Sequence, residues 1–338
     1  ALLLKKQGYE VVGVTMKLRK DKYMSESNAY GCCSLDDIED ARRVCYKLGI
    51  DHLVLNFTDL FQKKVIDYFV SEYESARTPN PCIACNRYLK FDAFFNKAKQ
   101  LNFDYIATGH YSIIEYNTDV NRWLLRKSKS SKDQSYVLYN MTQDQLAHTL
   151  MPLANFEKSY VRELAKENNL PVALKPDSQE ICFVENNDYA AFIEEYTGKK
   201  SKQGNFIDEH GNILGQHNGI MKYTIGQRKG IGLSLGEPMY VTQINPVDNT
   251  ITLGKEGSQY SSSFEAADLN FIAFDKLKTD IKADVKIRYN ANPSSARIIP
   301  ISENRVKIEF DKPQRSITKG QACVFYDGDI VLGGGTID

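Results

Sequence analysis

Around Gly198 the chain changes its periodicity, and that change decides what it can fold into. N-terminal to it, short β-branched runs alternate with stretches of helical apolar spacing. Tyr9-Glu-Val-Val-Gly-Val-Thr-Met16, His52-Leu-Val-Leu-Asn-Phe57 and Tyr105-Ile-Ala-Thr-Gly109 read as strands, and residues 35–48 and 59–74 as helices. The first run is bounded by Gly8 and by charge and reads as a buried parallel strand. Residues 143–198 are mainly helical, with Ser159 expected to cap one helix. Beyond Gly198, short strands alternate with turn clusters such as Asp208-Glu-His-Gly-Asn212, Asn245-Pro-Val-Asp-Asn-Thr250 and Tyr326-Asp-Gly-Asp329. Leu332-Gly-Gly-Gly335 reads as a further turn. The expectation is a doubly wound α/β domain over residues 1–190, a small β-rich domain over 191–259 and a C-terminal β-barrel over 260–338. Ligands of doubly wound sheets bind at the carboxyl ends of strands, where Met16, Gly109 and His110 fall.

Composition narrows the class of partner. Lys plus Arg and Asp plus Glu both number 43, so no general basic field exists, and an RNA footprint would have to be local. No apolar run approaches the roughly 18 residues of a membrane span. Seven cysteines, an odd count in 338 residues, argue against a secreted disulfide framework and for a reducing cytoplasm. Ala1-Leu-Leu-Leu-Lys-Lys-Gln-Gly8 resembles the end of an amphipathic helix more than a signal peptide, as if the chain began inside an element.

The cysteines carry the chemistry. Thr78-Pro-Asn-Pro-Cys-Ile-Ala-Cys-Asn86 sets Cys82 and Cys85 three apart after a proline-stiffened turn, and Cys182 lies in Asp177-Ser-Gln-Glu-Ile-Cys-Phe183. Several readings are open. The pair could be buried core thiols or half of a zinc site, although no second pair follows at finger spacing. The three could hold three irons of a 4Fe-4S cluster, or two could carry and release sulfur as thiolates. Cys45, Cys323 and the adjacent Cys32 and Cys33 read as core residues. Residues 121–135 are locally basic, with Arg122, Arg126, Lys127, Lys129 and Lys132 beside Trp123. They read as a solvated hairpin tip or a phosphate-contacting surface. Residues 220–232 hold three glycines with Lys222, Arg228 and Lys229, and such a loop could approach a phosphate closely, or be a turn cluster.

Six ordered segments together resemble the tRNA-specific 2-thiouridylases, the MnmA/TrmU family, across essentially the whole chain. They are 78–86, Ala107-Thr-Gly-His-Tyr111, Lys132-Asp-Gln-Ser-Tyr136, 177–183, Tyr223-Thr-Ile-Gly-Gln-Arg-Lys-Gly230 and Val324-Phe-Tyr-Asp-Gly-Asp329. The resemblance implies an ATP-pyrophosphatase-type catalytic domain. It also implies ATP-dependent 2-thiolation of the wobble uridine of tRNAs for Lys, Glu and Gln. ATP adenylates the C2 oxygen, sulfur displaces AMP, and magnesium neutralises the phosphates. By the same resemblance Cys182 carries the persulfide, and Cys85 is the nucleophile that releases sulfur and forms a transient disulfide with Cys182. Asn80, Pro81 and Cys82 face the target base, and Met16 and Gly109 contact ATP. His110, Lys132, Asp133, Gln134, Arg288, Tyr289 and Gln321 contact tRNA. A cysteine desulfurase or a relay protein supplies the sulfur.

Two departures stand out. The family's Ser-Gly-Gly-x-Asp-Ser loop, which cradles phosphates at a helix N-terminus, would precede Ala1, so the sequence as written is expected to bind ATP poorly. Cys82 stands where many members have Asp, and a thiol does not replace a carboxylate as an acid or base. With Cys82 present, the trio also resembles cluster-binding sulfurtransferases, in which Cys82, Cys85 and Cys182 would be the iron ligands. A non-catalytic RNA-binding fragment with structural cysteines is the alternative of a different class. A ligase of the argininosuccinate synthase type leaves the cysteines and the barrel unexplained.

Overall fold

The computed structural model describes residues 1–19, 35–175 and 181–338. Cys32, Cys33 and the residues 176–180 that lead to Cys182 lie outside the described residues. The chain gathers into two compact units, one of residues 1–67 with 81–187 and the other of 68–80 with 188–338.

In the first unit, β1 (Gly13–Lys17) pairs in parallel with β2 (His52–Asn56), Met16 standing opposite Leu55. A parallel pair needs a crossover, and the helix Leu35–Leu48 lies in that connection. A second parallel pair joins β3 (Ile106–Ala107) to β6 (Thr149–Leu150). Thus the parallel α/β arrangement is observed, but β1 begins later than expected and is half-buried rather than buried. Among the described residues β1 and β2 pair only with each other, and so narrow a sheet cannot cover both its faces. Cys45 is in the core, where a Cβ on Gly13 would sit 2.2 Å from its sulfur. In the chain connection from β3 to β6 lies an antiparallel hairpin of β4 (Ser112–Asn117) and β5 (Arg122–Lys127). The helix expected to be capped by Ser159 runs Lys158–Glu167 instead, with Glu157 at its N-cap. The Glu157 carboxylate accepts from Ser131 N–H and from the hydroxyls of Ser130 and Ser131, so it orders the loop after β5.

The second unit is mostly β. Four strands, β7 (Gly204–Ile207), β8 (Ile213–His217), β9 (Met239–Asn245) and β10 (Thr250–Lys255), form a sheet in the order β8-β7-β10-β9. They enclose Phe206, Tyr223, Val241, Ile251 and Leu253. Six more follow: β11 (Tyr260–Phe271), β12 (Ile281–Lys286), β13 (Ser294–Ser302), β14 (Arg305–Arg315), β15 (Ala322–Asp327) and β16 (Ile330–Ile337). Their order is β11-β14-β13-β12-β15-β16, and an antiparallel β11–β16 pairing closes the barrel. Closure removes the exposed edges that an open sheet would present. Ala266, Val285, Ile298, Ile308 and Phe325 fill the interior with Cys323, whose thiol burial pushes up to about 12.

The segment Leu332-Gly-Gly-Gly335 is not a turn. It lies inside β16, where a Cβ on Gly335 would come 2.7 Å from Leu269 Cδ2 and 2.8 Å from the Ala267 carbonyl. The glycines let β16 lie directly against β11. No helix among the described residues is long and apolar enough to cross a membrane.

Candidate active site

The sulfur-bearing segment is held at its base before its helix begins. Thr78 N–H donates to the Lys319 carbonyl at 2.8 Å, and Gln321 Nε2 donates to the Thr78 carbonyl at 2.8 Å. Beside it, Arg77 donates to Glu72 Oε2 at 2.9 Å, Asp338 Oδ1 at 3.0 Å and the Ile337 carbonyl at 3.1 Å. Pro79 is buried and Asn80 half-buried.

Pro81 opens a helical turn, Pro81–Cys85, where its fixed φ suits the first helical position and its missing N–H is not needed. The helix continues through π-type turns, Asn86–Phe94, and ends in Phe95–Gln100. Ile83, Ala84 and Leu89 bury one side, which leaves Cys82 exposed and Cys85 half-buried. Residues three apart on a helix share a face, so the two thiols are presented together. Asn86, only 3% exposed, donates through Nδ2 to the Val137 carbonyl at 3.0 Å and ties this helix to the 3-10 turn Ser135–Leu138.

Two other motifs meet in the same unit. Gln134 N–H donates to the Tyr111 carbonyl at 2.8 Å, while Gln134 Oε1 accepts from Tyr111 N–H at 3.1 Å. This double bond joins Lys132-Asp-Gln-Ser-Tyr136 to Ala107-Thr-Gly-His-Tyr111. Asp133 organises its own loop, accepting from Ser128 N–H at 2.8 Å and from the Ser135 hydroxyl at 2.8 Å. Lys132 is exposed. Gly109, also exposed, follows the end of β3, and Met16 stands near the end of β1. His110 is buried, its Nδ1 2.8 Å from the Thr108 hydroxyl and its ring 5.8 Å from that of Phe91. Burial, with Lys90 nearby, pushes its pKa down to about 3, so it is a neutral imidazole.

Cys182 is half-buried and is present as a thiol, like Cys82 and Cys85. Arg19, two residues beyond β1, donates to its carbonyl at 2.7 Å. The next residue, Phe183, is buried with its ring edge-on to Phe61 at 5.8 Å. Among the described residues no group of three or more His, Cys, Asp and Glu is gathered to hold a metal ion.

In the second unit, Arg288 and Tyr289 stand on an exposed turn after β12, with the Lys286 ammonium 5.4 Å from the Tyr289 ring centre. Gln321 is turned to Thr78. The glycine-rich loop approaches the barrel, since a Cβ on Gly226 would sit 1.8 Å from the Ser316 hydroxyl. Sequence reasoning missed Arg19, Arg77 and the part played by Asn86. Arg77 adjoins the segment 78–86 and Asn86 ends it, whereas Arg19 has no spacing signal at all.

Three family models match the chain in succession. They are described as a tRNA methyl transferase HUP domain over residues 1–186, a tRNA methyl transferase PRC-barrel domain over 190–255 and an aminomethyltransferase beta-barrel domain over 261–337. Among curated relatives, a Clostridioides difficile protein named tRNA-specific 2-thiouridylase MnmA is 54% identical, the match covering 100% of this chain and 94% of that protein. Proteins of the same name from Acetivibrio thermocellus and Clostridium acetobutylicum are 55% and 53% identical, over 100% of this chain and 94% and 95% of theirs.

Proposed function

The chain belongs to the family of tRNA-specific 2-thiouridylases, and from that premise we propose how its residues carry the reaction. It is a tRNA-uridine 2-sulfurtransferase that thiolates the wobble uridine at the expense of ATP. A uracil carbonyl is a poor electrophile with a poor leaving group, and adenylation corrects both. The C2 oxygen attacks the α-phosphate, pyrophosphate leaves, and C2 then carries AMP as its leaving group. Met16 and Gly109, at the ends of parallel strands, are suited to contact the nucleotide, because an exposed glycine lets a ligand reach the backbone. Magnesium would arrive with the phosphates.

The cysteines divide the sulfur chemistry. A donor protein, a cysteine desulfurase or a relay, loads a persulfide onto Cys182. Its terminal sulfur attacks C2 and AMP departs. The Cys85 thiolate then attacks the sulfur of Cys182, which breaks the S–S bond to the transferred sulfur and releases 2-thiouridine. A Cys85–Cys182 disulfide remains, and a cellular thiol reductant returns both to thiols. Asn80, Pro81 and Cys82 face the base. Lys132, Arg288 and Tyr289 touch tRNA directly, while His110, Asp133, Gln134 and Gln321 act by shaping the backbone around them. These roles spread over three domains, 1–190, 191–259 and 260–338, in a protein of the reducing cytoplasm, where such thiols persist. No step is routed through an iron–sulfur cluster, because Cys85 and Cys182 alone account for loading, transfer and release of the sulfur.

The observation that carries this reading is the helical turn Pro81–Cys85, which presents Cys85 half-buried in the same compact unit as Cys182. The test is mass spectrometry of tRNA from cells lacking the full-length gene, complemented with wild type, Cys85→Ser or Cys182→Ser. Wild type is expected to restore 2-thiouridine and both variants to fail. Normal 2-thiouridine without the gene would sink the reading.

A further inference from the structure

Arg19 sits where two parts of the reaction must be brought into register. It follows β1 by two residues, at the strand end that carries Met16, and its guanidinium reaches 163 positions along the chain to the Cys182 carbonyl at 2.7 Å. On its other side the Cys182 backbone is held by packing. Phe183 and Val184 are buried, and Val184 N–H donates to the Ile181 carbonyl at 3.0 Å. Cys182 is thus pinned by an apolar anchor after it and by a charged donor on its own carbonyl.

A sulfur carrier must place its terminal sulfur against a base whose position is set by the nucleotide, and a misplacement of about 1 Å costs roughly a hundredfold in rate. A planar guanidinium on a short connection from the strand is well suited to hold that register. A lysine, as a point charge on a flexible stem, holds geometry less well. We infer that Arg19 is a positioning residue for sulfur transfer, fixing the backbone of Cys182 to the nucleotide end of β1. The inference rests on the proposed role of Cys182 as carrier, and nothing in the family resemblance assigned a role to Arg19.

The experiment separates the two half-reactions in the full-length protein. Adenylation is read as pyrophosphate release with tRNA and ATP in the absence of sulfur donor. Transfer is read in a single turnover from enzyme preloaded with radiolabelled persulfide. For Arg19→Met, transfer is expected to slow about ten- to a hundredfold, the weight of a hydrogen bond from a charged donor. Adenylation and the KM for tRNA are expected to stay unchanged, and Arg19→Lys to recover part of the loss. Transfer at the wild-type rate, or equal slowing of adenylation and transfer, would overturn the inference. Should Arg19→Met not fold, Arg19→Lys decides alone: selective slowing of transfer supports the role, and wild-type transfer refutes it. Cys182→Ser distinguishes the premise. If that variant still transfers sulfur, the carrier reading fails. If it is dead while Arg19→Met behaves as wild type, only the role of Arg19 fails.

Discussion

His110 shows how far the setting of a motif residue can lie from what its place in the sequence suggests. Its motif suggested a hand extended to tRNA, yet the side chain is 8% exposed and its pKa lies at about 3. The linkage to stability has a definite sign. An unfolded histidine takes a proton near pH 6.5, whereas folded His110 refuses it until about pH 3. Its contribution is therefore complete above about pH 6.5 and falls on acidification by up to ~1.4 kcal/mol per pH unit. In urea denaturation, wild type should lose about 1–2 kcal/mol more stability between pH 7 and pH 5 than His110→Asn does. Burial lowers the pKa of His52 and His217 too, but these are common to both proteins and cancel in the comparison. Equal losses would mean that His110 titrates freely in the folded state. A neutral imidazole cannot neutralise a phosphate, and the bond of His110 to the Thr108 hydroxyl fits a part in shaping the local backbone.

At the scale of elements, the glycines tell apart what spacing can reveal and what it cannot. Gly226 has a φ of +83°, and the Ser316 hydroxyl fills the space a side chain would need. The approach that looked suited to a phosphate is made to the barrel, in a seam where Ser316 N–H donates to the Gln259 carbonyl at 2.7 Å. Gly226→Ala should cost about 2 kcal/mol or more, from both φ strain and overlap, with a lowered urea midpoint and an unchanged slope. A silent substitution would show that the seam yields easily. The anchor before the helix invites a similar test. Arg77→Ala strips donors from Glu72, Asp338 and the Ile337 carbonyl at once and should cost about 1–3 kcal/mol in the same assay. Alternation of strand and helix before Gly198, and turn chemistry after it, made the layers legible, because periodicity is a local property. The closure of β11 on β16, the grip of Gln134 on Tyr111 and the reach of Arg19 to Cys182 join residues far apart in sequence. No local pattern announces such contacts, so the three glycines of β16 could be mistaken for a turn.

At the scale of the whole molecule, the charge balance sets how tRNA can be held. Cations and anions are equal in number at 43 each, and many cations are neutralised where they stand. On the barrel, Lys282 pairs with Asp311 at 3.0 Å, Lys307 with Glu309 at 2.7 Å, and Arg305 with Glu265 and Asp338 at 2.9 and 2.7 Å. On the hairpin of the other unit, Arg126 pairs with Glu115 at 2.6 Å. Such exposed pairs add little stability, but a cation that brings its own counter-charge contributes little to the release of counterions from RNA. Binding should therefore depend on a few local contacts, among them Lys132 and Arg288, rather than on a continuous basic track. With roughly three to five phosphates neutralised, the logarithm of the binding constant should fall with the logarithm of salt at a slope of about −2 to −4. Fluorescence anisotropy with labelled tRNA over a salt series measures it, and Lys132→Gln and Arg288→Gln should each make the slope shallower by about 1. A slope of about −8 or steeper would require a basic track that this distribution of charge does not supply, and RNA recognition would then have to run through cations now bound to their own carboxylates.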